Sequence, residues 1–488
     1  MPQRFTLYLF ITAITTAIAT PLTTSWFGLN MGARVGFSKT NVFHNTTFQA
    51  ALHTLHTSQL RFPGGTDAND FNWKEGCNGL SSSCTGGHST LEDLQTTLNA
   101  SSNNNIKIIL VLNMVTDTLA SQLQFVAHAI THLGLPVVGV ELGNELFNNL
   151  DRYIQRYPDG GAYGKVCVQW IAAIRDKFPR LRLAVVGTPT RKQSHVRDTT
   201  WNDMMFGQVQ SSLRPHVDGV VIHQYDTTGL ATKNSSGGSG GGKFLKSMVS
   251  KMLQKPFQVS QELNKKIATS VPTNVTVWIT EYNIDYSKDV EDVFVFGTFA
   301  HGLFLATESI LFLQEPQIAA GFVCRHCLLS DANNGALFVN DNAFNFDQSP
   351  NRSLATNTYG LSATGAILRM LGNMTQGMND VQTLNVAIHS TNTTSAVLSS
   401  EVVVVGVVLS NSDSTPIKKN GFVVNLSNET VAISGKAMAD FRYYQQMSVD
   451  DPTIGINHVE GQVTWVNGCV QLDEVTLLAP YSVTSLVS

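Results

Sequence analysis

The sequence predicts an α/β protein: a (β/α)8 TIM barrel with a C-terminal antiparallel β-sandwich domain. Three observations carry this. Eight short apolar runs alternate with longer segments whose apolar residues recur at helical spacing. The helical pattern stops near Gly377, and beyond it short alternating runs are separated by Asn, Asp, Ser and Gly. A length of 488 residues exceeds what one hydrophobic core sustains, so a barrel over 20–377 and a sandwich over 378–488 are expected.

The barrel strands are expected at Phe27–Val35, Gln59–Gly64, Ile106–Asn113, Val137–Asn144, Leu181–Gly187, Val217–Tyr225, Val275–Tyr282 and Gly321–Leu328. Barrel strands are buried on both faces, which accounts for their nearly continuous apolar character. Helices are expected between them, as at Tyr163–Phe178 and Val293–Leu313. Two connections exceed what the barrel needs: the Gly/Ser-rich stretch Thr227–Lys243, and Ser330–Thr358 with Phe338, Phe344 and Phe346. Both leave the C-terminal ends of strands, the face where barrels build their sites. The sandwich strands are expected at Val381–Ile388, Val402–Ser410, Phe422–Leu426, Phe441–Gln446, Gln462–Val466 and Val475–Val487.

Composition excludes several classes. A hydrophobic content of 43% argues against disorder, and a net charge of -4 gives no basic footprint for nucleic acid or anionic membrane. Residues 1–19 read as a signal peptide: Arg4 precedes an apolar run to Ala19, shorter than the roughly 20 residues of a spanning helix. Sequons at Asn45, Asn99, Asn234, Asn274, Asn351, Asn373, Asn392, Asn425 and Asn428 agree with secretion, or with delivery to a lysosome or vacuole. Cys77 and Cys84 bracket a Gly/Ser-rich loop and are candidates for a disulfide, while Cys167 and Cys469 read as buried thiols. Cys324-Arg-His-Cys327 has no second ligand pair at zinc spacing, so a disulfide or two unrelated thiols is the reading, and no metal or cofactor is expected. His326 within it is within reach of the barrel mouth.

The chemistry lies at two strand ends. The fourth strand ends Glu141-Leu-Gly-Asn144-Glu145, and the seventh ends Trp278-Ile-Thr-Glu281. Two carboxyl groups across a barrel mouth suit glycosidic cleavage, in which one delivers a proton to the leaving oxygen and the other, ionised, attacks the anomeric carbon. Glu141 lies deeper along its strand and reads as a buried hydrogen-bonding group. Trp73 and Tyr282 are candidates for stacking on a sugar, with buried packing as their default.

These motifs resemble the clan A retaining glycoside hydrolases. Leu60-Arg-Phe-Pro-Gly-Gly65, Asn113 at the end of strand three and His223-Gln-Tyr225 at the end of strand six extend the resemblance. It is strongest to the heparanase and β-glucuronidase group, family 79, and next to the α-L-arabinofuranosidases of family 51. Leu146 departs from the heparanase-like pattern, which has proline there. The resemblance implies a retaining hydrolase of a polysaccharide or glycoconjugate, with Glu145 as acid/base and Glu281 as nucleophile. It further implies that Asn144 contacts the sugar 2-hydroxyl, that Arg61 holds Glu281 ionised, and that Tyr225 or His223 orients it. An arabinofuranosidase or xylan-directed enzyme, or a catalytically silent glycan-binding barrel, are the alternatives. Arg152 and Arg191 are candidates, by position, for a uronate carboxylate.

Overall fold

The computed structural model describes residues 20–32, 42–78, 89–100, 106–188, 196–212, 217–228, 246–285, 295–326, 328, 336–340, 358–384, 387–390, 403–434, 436–453, 464–470 and 476–488. Eight parallel strands close a barrel: β1 (Phe27–Gly32), β2 (Gln59–Gly64), β3 (Lys107–Val111), β4 (Val137–Glu141), β5 (Arg182–Val186), β6 (Gly219–Asp226), β7 (Thr276–Ile284) and β8 (Val323–Arg325). Each pairs with the next in sequence, and β8 closes on β1. All eight fall within or overlap the expected segments.

The barrel floor is a cluster of Ile109, Ala184, Val221, Trp278, Phe322 and Cys324. Trp278 fits there because two facing positions are glycine. A Cβ on Gly219 would stand 2.2 Å from the indole nitrogen, and one on Gly139 would stand 2.9 Å from the ring. Beyond Trp278 the pairing of β7 with β6 shifts register before Glu281. Such an irregularity re-aims side chains at a barrel rim.

Helix α1 (Gly160–Lys177) begins where Asp159 accepts from the Ala162 N–H, and it ends with Arg175 and Lys177 against the negative end of its dipole. Helix α2 (Phe299–Leu313), capped by Thr298, is buried at every residue because it lies between barrel and sandwich. Helix α3 (Ala363–Thr375), capped by Ser362, shares that position.

The sandwich comprises β9 (Asp380–Thr383), β10 (Ala387–Ser390), β11 (Val404–Asn411), β12 (Lys418–Asn425), β13 (Val431–Ser434), β14 (Tyr443–Ser448), β15 (Thr464–Cys469), β16 (Thr476–Leu478) and β17 (Ser482–Val487). The larger sheet runs Thr20–Pro21, β9, β11, β12, β17, β14, β15, and the smaller runs β10, β13, β16. Two expected strands therefore divide between sheets. Val475–Val487 breaks at Ala479-Pro480-Tyr481, where proline lacks an N–H and Tyr481 has φ +43°. Val381–Ile388 breaks after Thr383, where β9 leaves the larger sheet and β10 enters the smaller. The strand β13 is an addition to the expected set, and Thr20–Pro21 brings the N-terminal side of the barrel into the sandwich.

Several smaller expectations change. Cys469 is exposed on the edge strand β15, so it is not a buried thiol; Cys167 and Cys324 are buried and free. Cys324 is therefore not half of a disulfide with Cys327, which lies outside the described residues. Cys77 is disulfide-bonded, and Cys84 lies outside the described residues. Asn425 is fully buried and its amide donates to the carbonyls of Glu429, Leu478 and Ala479, which leaves its nitrogen no room for a glycan. Asn45 is half-buried and caps a helix through Oδ1, whereas Asn99, Asn274, Asn373 and Asn428 are exposed. Asn234, Asn351 and Asn392, the 1–19 segment, Arg191, Phe344, Phe346 and most of both long connections lie outside the described residues. No helix among the described residues is long and apolar enough to cross a membrane.

Candidate active site

The C-terminal ends of the strands bring together most of the residues singled out in the sequence. Arg61, on β2 and fully buried, is the centre. Its Nη1 donates to Glu281 Oε1 at 2.7 Å and to Asn30 Oδ1 at 3.2 Å. Its Nη2 donates to Glu141 Oε2 at 2.7 Å and to Asn144 Oδ1 at 2.8 Å, and Nε reaches Glu141 at 2.9 Å. The guanidinium fork is thus shared by two carboxylates and two amides, a geometry that lysine cannot supply.

Glu281 is 5% exposed in its side chain. Tyr225, on β6, donates its hydroxyl to Glu281 Oε2 at 2.6 Å. Nδ1 of His223 lies 3.7 Å and Nδ1 of His326 lies 3.5 Å from the same oxygen. Burial by itself would raise the Glu281 pKa. The charges of His223, His326 and Arg61 and the tyrosine hydrogen bond outweigh it and hold the group well below the usual carboxylate range.

Glu145 lies beyond β4, where the chain bends sharply. Gly143 has φ +94° and Glu145 itself φ +45°, a left-handed conformation that costs a non-glycine residue energy. The bend turns the carboxyl group over the mouth, 23% exposed, with Oε1 2.9 Å from His223 Nδ1 and Oε2 accepting from Asn148 at 2.9 Å. Carboxylate oxygens of Glu145 and Glu281 and a ring nitrogen of His223 all lie within 4.8 Å of one another. His223 therefore bridges the two acids, while Tyr225 touches Glu281 directly.

Asn144 is fixed at both backbone groups. Its N–H donates to Asn69 Oδ1 at 3.0 Å, and its carbonyl accepts from Asn69 Nδ2 at 2.6 Å. Asn69, Asn30 and Asn148 carried no motif. Asn30 alone had a signal, as a polar residue inside an apolar strand. Asn113, in contrast, is committed to its own turn: Oδ1 accepts from the Val115 and Thr116 N–H groups, and Nδ2 donates to Thr116 and Phe71. Arg152 is paired with Asp70 at 2.7 Å and stacks on Tyr153. Trp73 packs on Phe125 and donates to Ser121, and Tyr282 is buried against Phe312 with its hydroxyl on Ser309, so both serve packing. Leu146 is buried against Gly143.

A closed (β/α)8 barrel carrying a C-terminal sandwich is a fold shared with solved glycoside hydrolases. In fold the chain is similar to the family 51 α-L-arabinofuranosidase AbfB from Bifidobacterium longum, with a TM-score of 0.67, 12% identity, and coverage of 96% of this chain and 97% of that one. The family 51 arabinofuranosidase from Xanthomonas axonopodis pv. citri gives a TM-score of 0.64, 14% identity and coverage of 96% and 97%. A monomeric β-xylosidase from Caulobacter crescentus CB15 gives a TM-score of 0.51, 14% identity and coverage of 96% and 97%. Family 51, one of the two families that the motifs resemble, is thus represented among the solved structures of similar fold. No protein-family model and no curated protein matches the sequence.

Proposed function

We propose that the chain is a retaining glycosidase that releases a neutral sugar, with an α-L-arabinofuranoside as its preferred substrate, and that it is secreted. The observation that carries the mechanism is the pair of carboxyl groups of Glu145, beyond β4, and Glu281, on β7, with oxygens within 4.8 Å. Separations of about 5–5.5 Å between carboxyl groups accompany retention, and inverting enzymes need roughly 6.5–9.5 Å to seat a water. The arabinofuranoside preference is supported by likeness to the family 51 structures. Arg61, the described arginine that touches Glu281, is fully buried and already bonded to Glu141, Glu281, Asn30 and Asn144, so it is not presented to a uronate. Secretion is supported by the charged-then-apolar N-terminus and by the exposed sequons.

Chemically, Glu281 is held ionised by its neighbours and attacks the anomeric carbon while Glu145 protonates the leaving oxygen. Formation of the ester removes the Glu281 charge. Glu145, now a carboxylate, then takes a proton from the water that hydrolyses the ester. Asn144 Oδ1 is held by Arg61, which leaves its amide NH2 as the group to donate to a sugar hydroxyl.

The test is a panel of nitrophenyl glycosides, assayed with wild type, Glu281→Gln and Glu145→Gln. Hydrolysis of the α-L-arabinofuranoside with retained configuration, lost in Glu281→Gln, is expected. Preference for the β-glucuronide would return the chain to the heparanase-like group. Full activity in Glu281→Gln, or binding of glycans with no cleavage of any glycoside, would defeat the mechanism.

A further inference from the structure

A cleft of about 340 Å³ lies where α3 meets the outer strands of the larger sheet, a size at the lower end for small-ligand sites. One wall is the last two turns of α3, with Met370, Asn373 and Met374. The other is a row across three strands. Gln445 on β14 pairs with Asn467 on β15 and with Ser485 on β17, so the three share one face. Tyr443, two residues along β14, shares that face and is 57% exposed. The lining therefore offers the tyrosines Tyr443 and Tyr444, amides and a serine hydroxyl without a charged side chain. Uncharged donors and acceptors beside an exposed ring suit a neutral sugar, whose C–H face packs on the ring and whose hydroxyls bond to amides.

Asn373 opens the sequon Asn373-Met374-Thr375 and is exposed in this wall. We propose that Asn373 carries an N-linked glycan whose first sugars seat in the cleft against Tyr443 and fasten the sandwich to the barrel. A tethered ligand acts at a high effective concentration, so one ring contact and a few amide bonds suffice to hold it. The proposal rests on secretion and not on the catalytic reading, so the failure of one leaves the other standing.

The test uses the full chain secreted from a eukaryotic host. Peptide N-glycosidase is applied to the folded protein, and occupancy is followed by mass spectrometry at Asn373, Asn99 and Asn274, all exposed. Glycan release at Asn373 should be about tenfold slower than at the other two, the size of one aromatic contact, and equally fast after denaturation. Tyr443→Ala, an exposed position, should abolish the difference. An unoccupied Asn373, which would leave the cleft to a free oligosaccharide, overturns the proposal. So does release as fast as at Asn99, or protection that survives Tyr443→Ala.

Discussion

Tyr225 shows how single contacts set the chemistry, because its hydroxyl donates at 2.6 Å to the oxygen of Glu281 that faces His223 and His326. A hydrogen bond to a charged group contributes about 1.5–3 kcal/mol, so Tyr225→Phe should lower kcat/KM by roughly 10- to 150-fold. The same substitution removes one of the groups that depress the Glu281 pKa, so the acid limb of the kcat/KM profile should move to higher pH. An unmoved limb would show that the tyrosine does not tune Glu281. Linkage carries the same sign. Glu281 has a folded pKa below its ordinary 4.5, so its ion pairs stabilise the fold above that pH and are lost progressively as pH falls below it. Thermal unfolding midpoints of wild type and Glu281→Gln should therefore converge as pH drops below about 4.5. Glu145 tests differently. Glu145→Ala should cost about 10²- to 10⁴-fold on alkyl glycosides but little in the first step on dinitrophenyl glycosides, whose leaving group needs no proton.

Among the elements, β7 does two tasks within four residues. Trp278 fills the floor and Glu281 reaches the mouth, and the register shift between them makes both orientations available. The floor depends on two glycines facing the indole. Gly219→Ala would place a methyl 2.2 Å from its nitrogen, and overpacking of this kind costs about 1–3 kcal/mol in chemical denaturation. Trp278→Phe in the same chain should recover part of that loss. An equal cost in both backgrounds would place the strain elsewhere. The bend after β4 works in the same manner: Gly143 and Glu145, both at positive φ, turn a strand end into an outward-facing acid.

At the scale of the whole molecule, one buried cluster runs from the barrel into the larger sheet. It joins Leu303 and Phe304 of α2 and Leu371 of α3 to Val407, Phe422 and Val483 of the sandwich. Thr20–Pro21 also pairs with β9, so the sandwich is built from both sides of the barrel in sequence. Calorimetry should therefore show one cooperative transition, and a chain ending at Gly377 should be insoluble or lose the barrel transition. Two independent transitions would contradict that coupling. The cluster explains why α2 is buried on all sides, a pattern that the helical period alone does not explain.

The sequence by itself determined the eight barrel strands and marked Glu145 and Glu281 near the ends of two of them, because period and position along a strand are local properties of the chain. The site was less legible. Asn69 reaches Asn144 across 75 residues and Arg61 reaches Glu281 across 220, so no spacing rule connects them. Asn113 matched a motif position yet turned to its own loop, since an asparagine side chain bonds its local backbone as readily as a ligand. Only the tertiary structure decided the separation of the two carboxyl groups, the bridging place of His223 and the burial of Asn425, because each depends on which strands become neighbours.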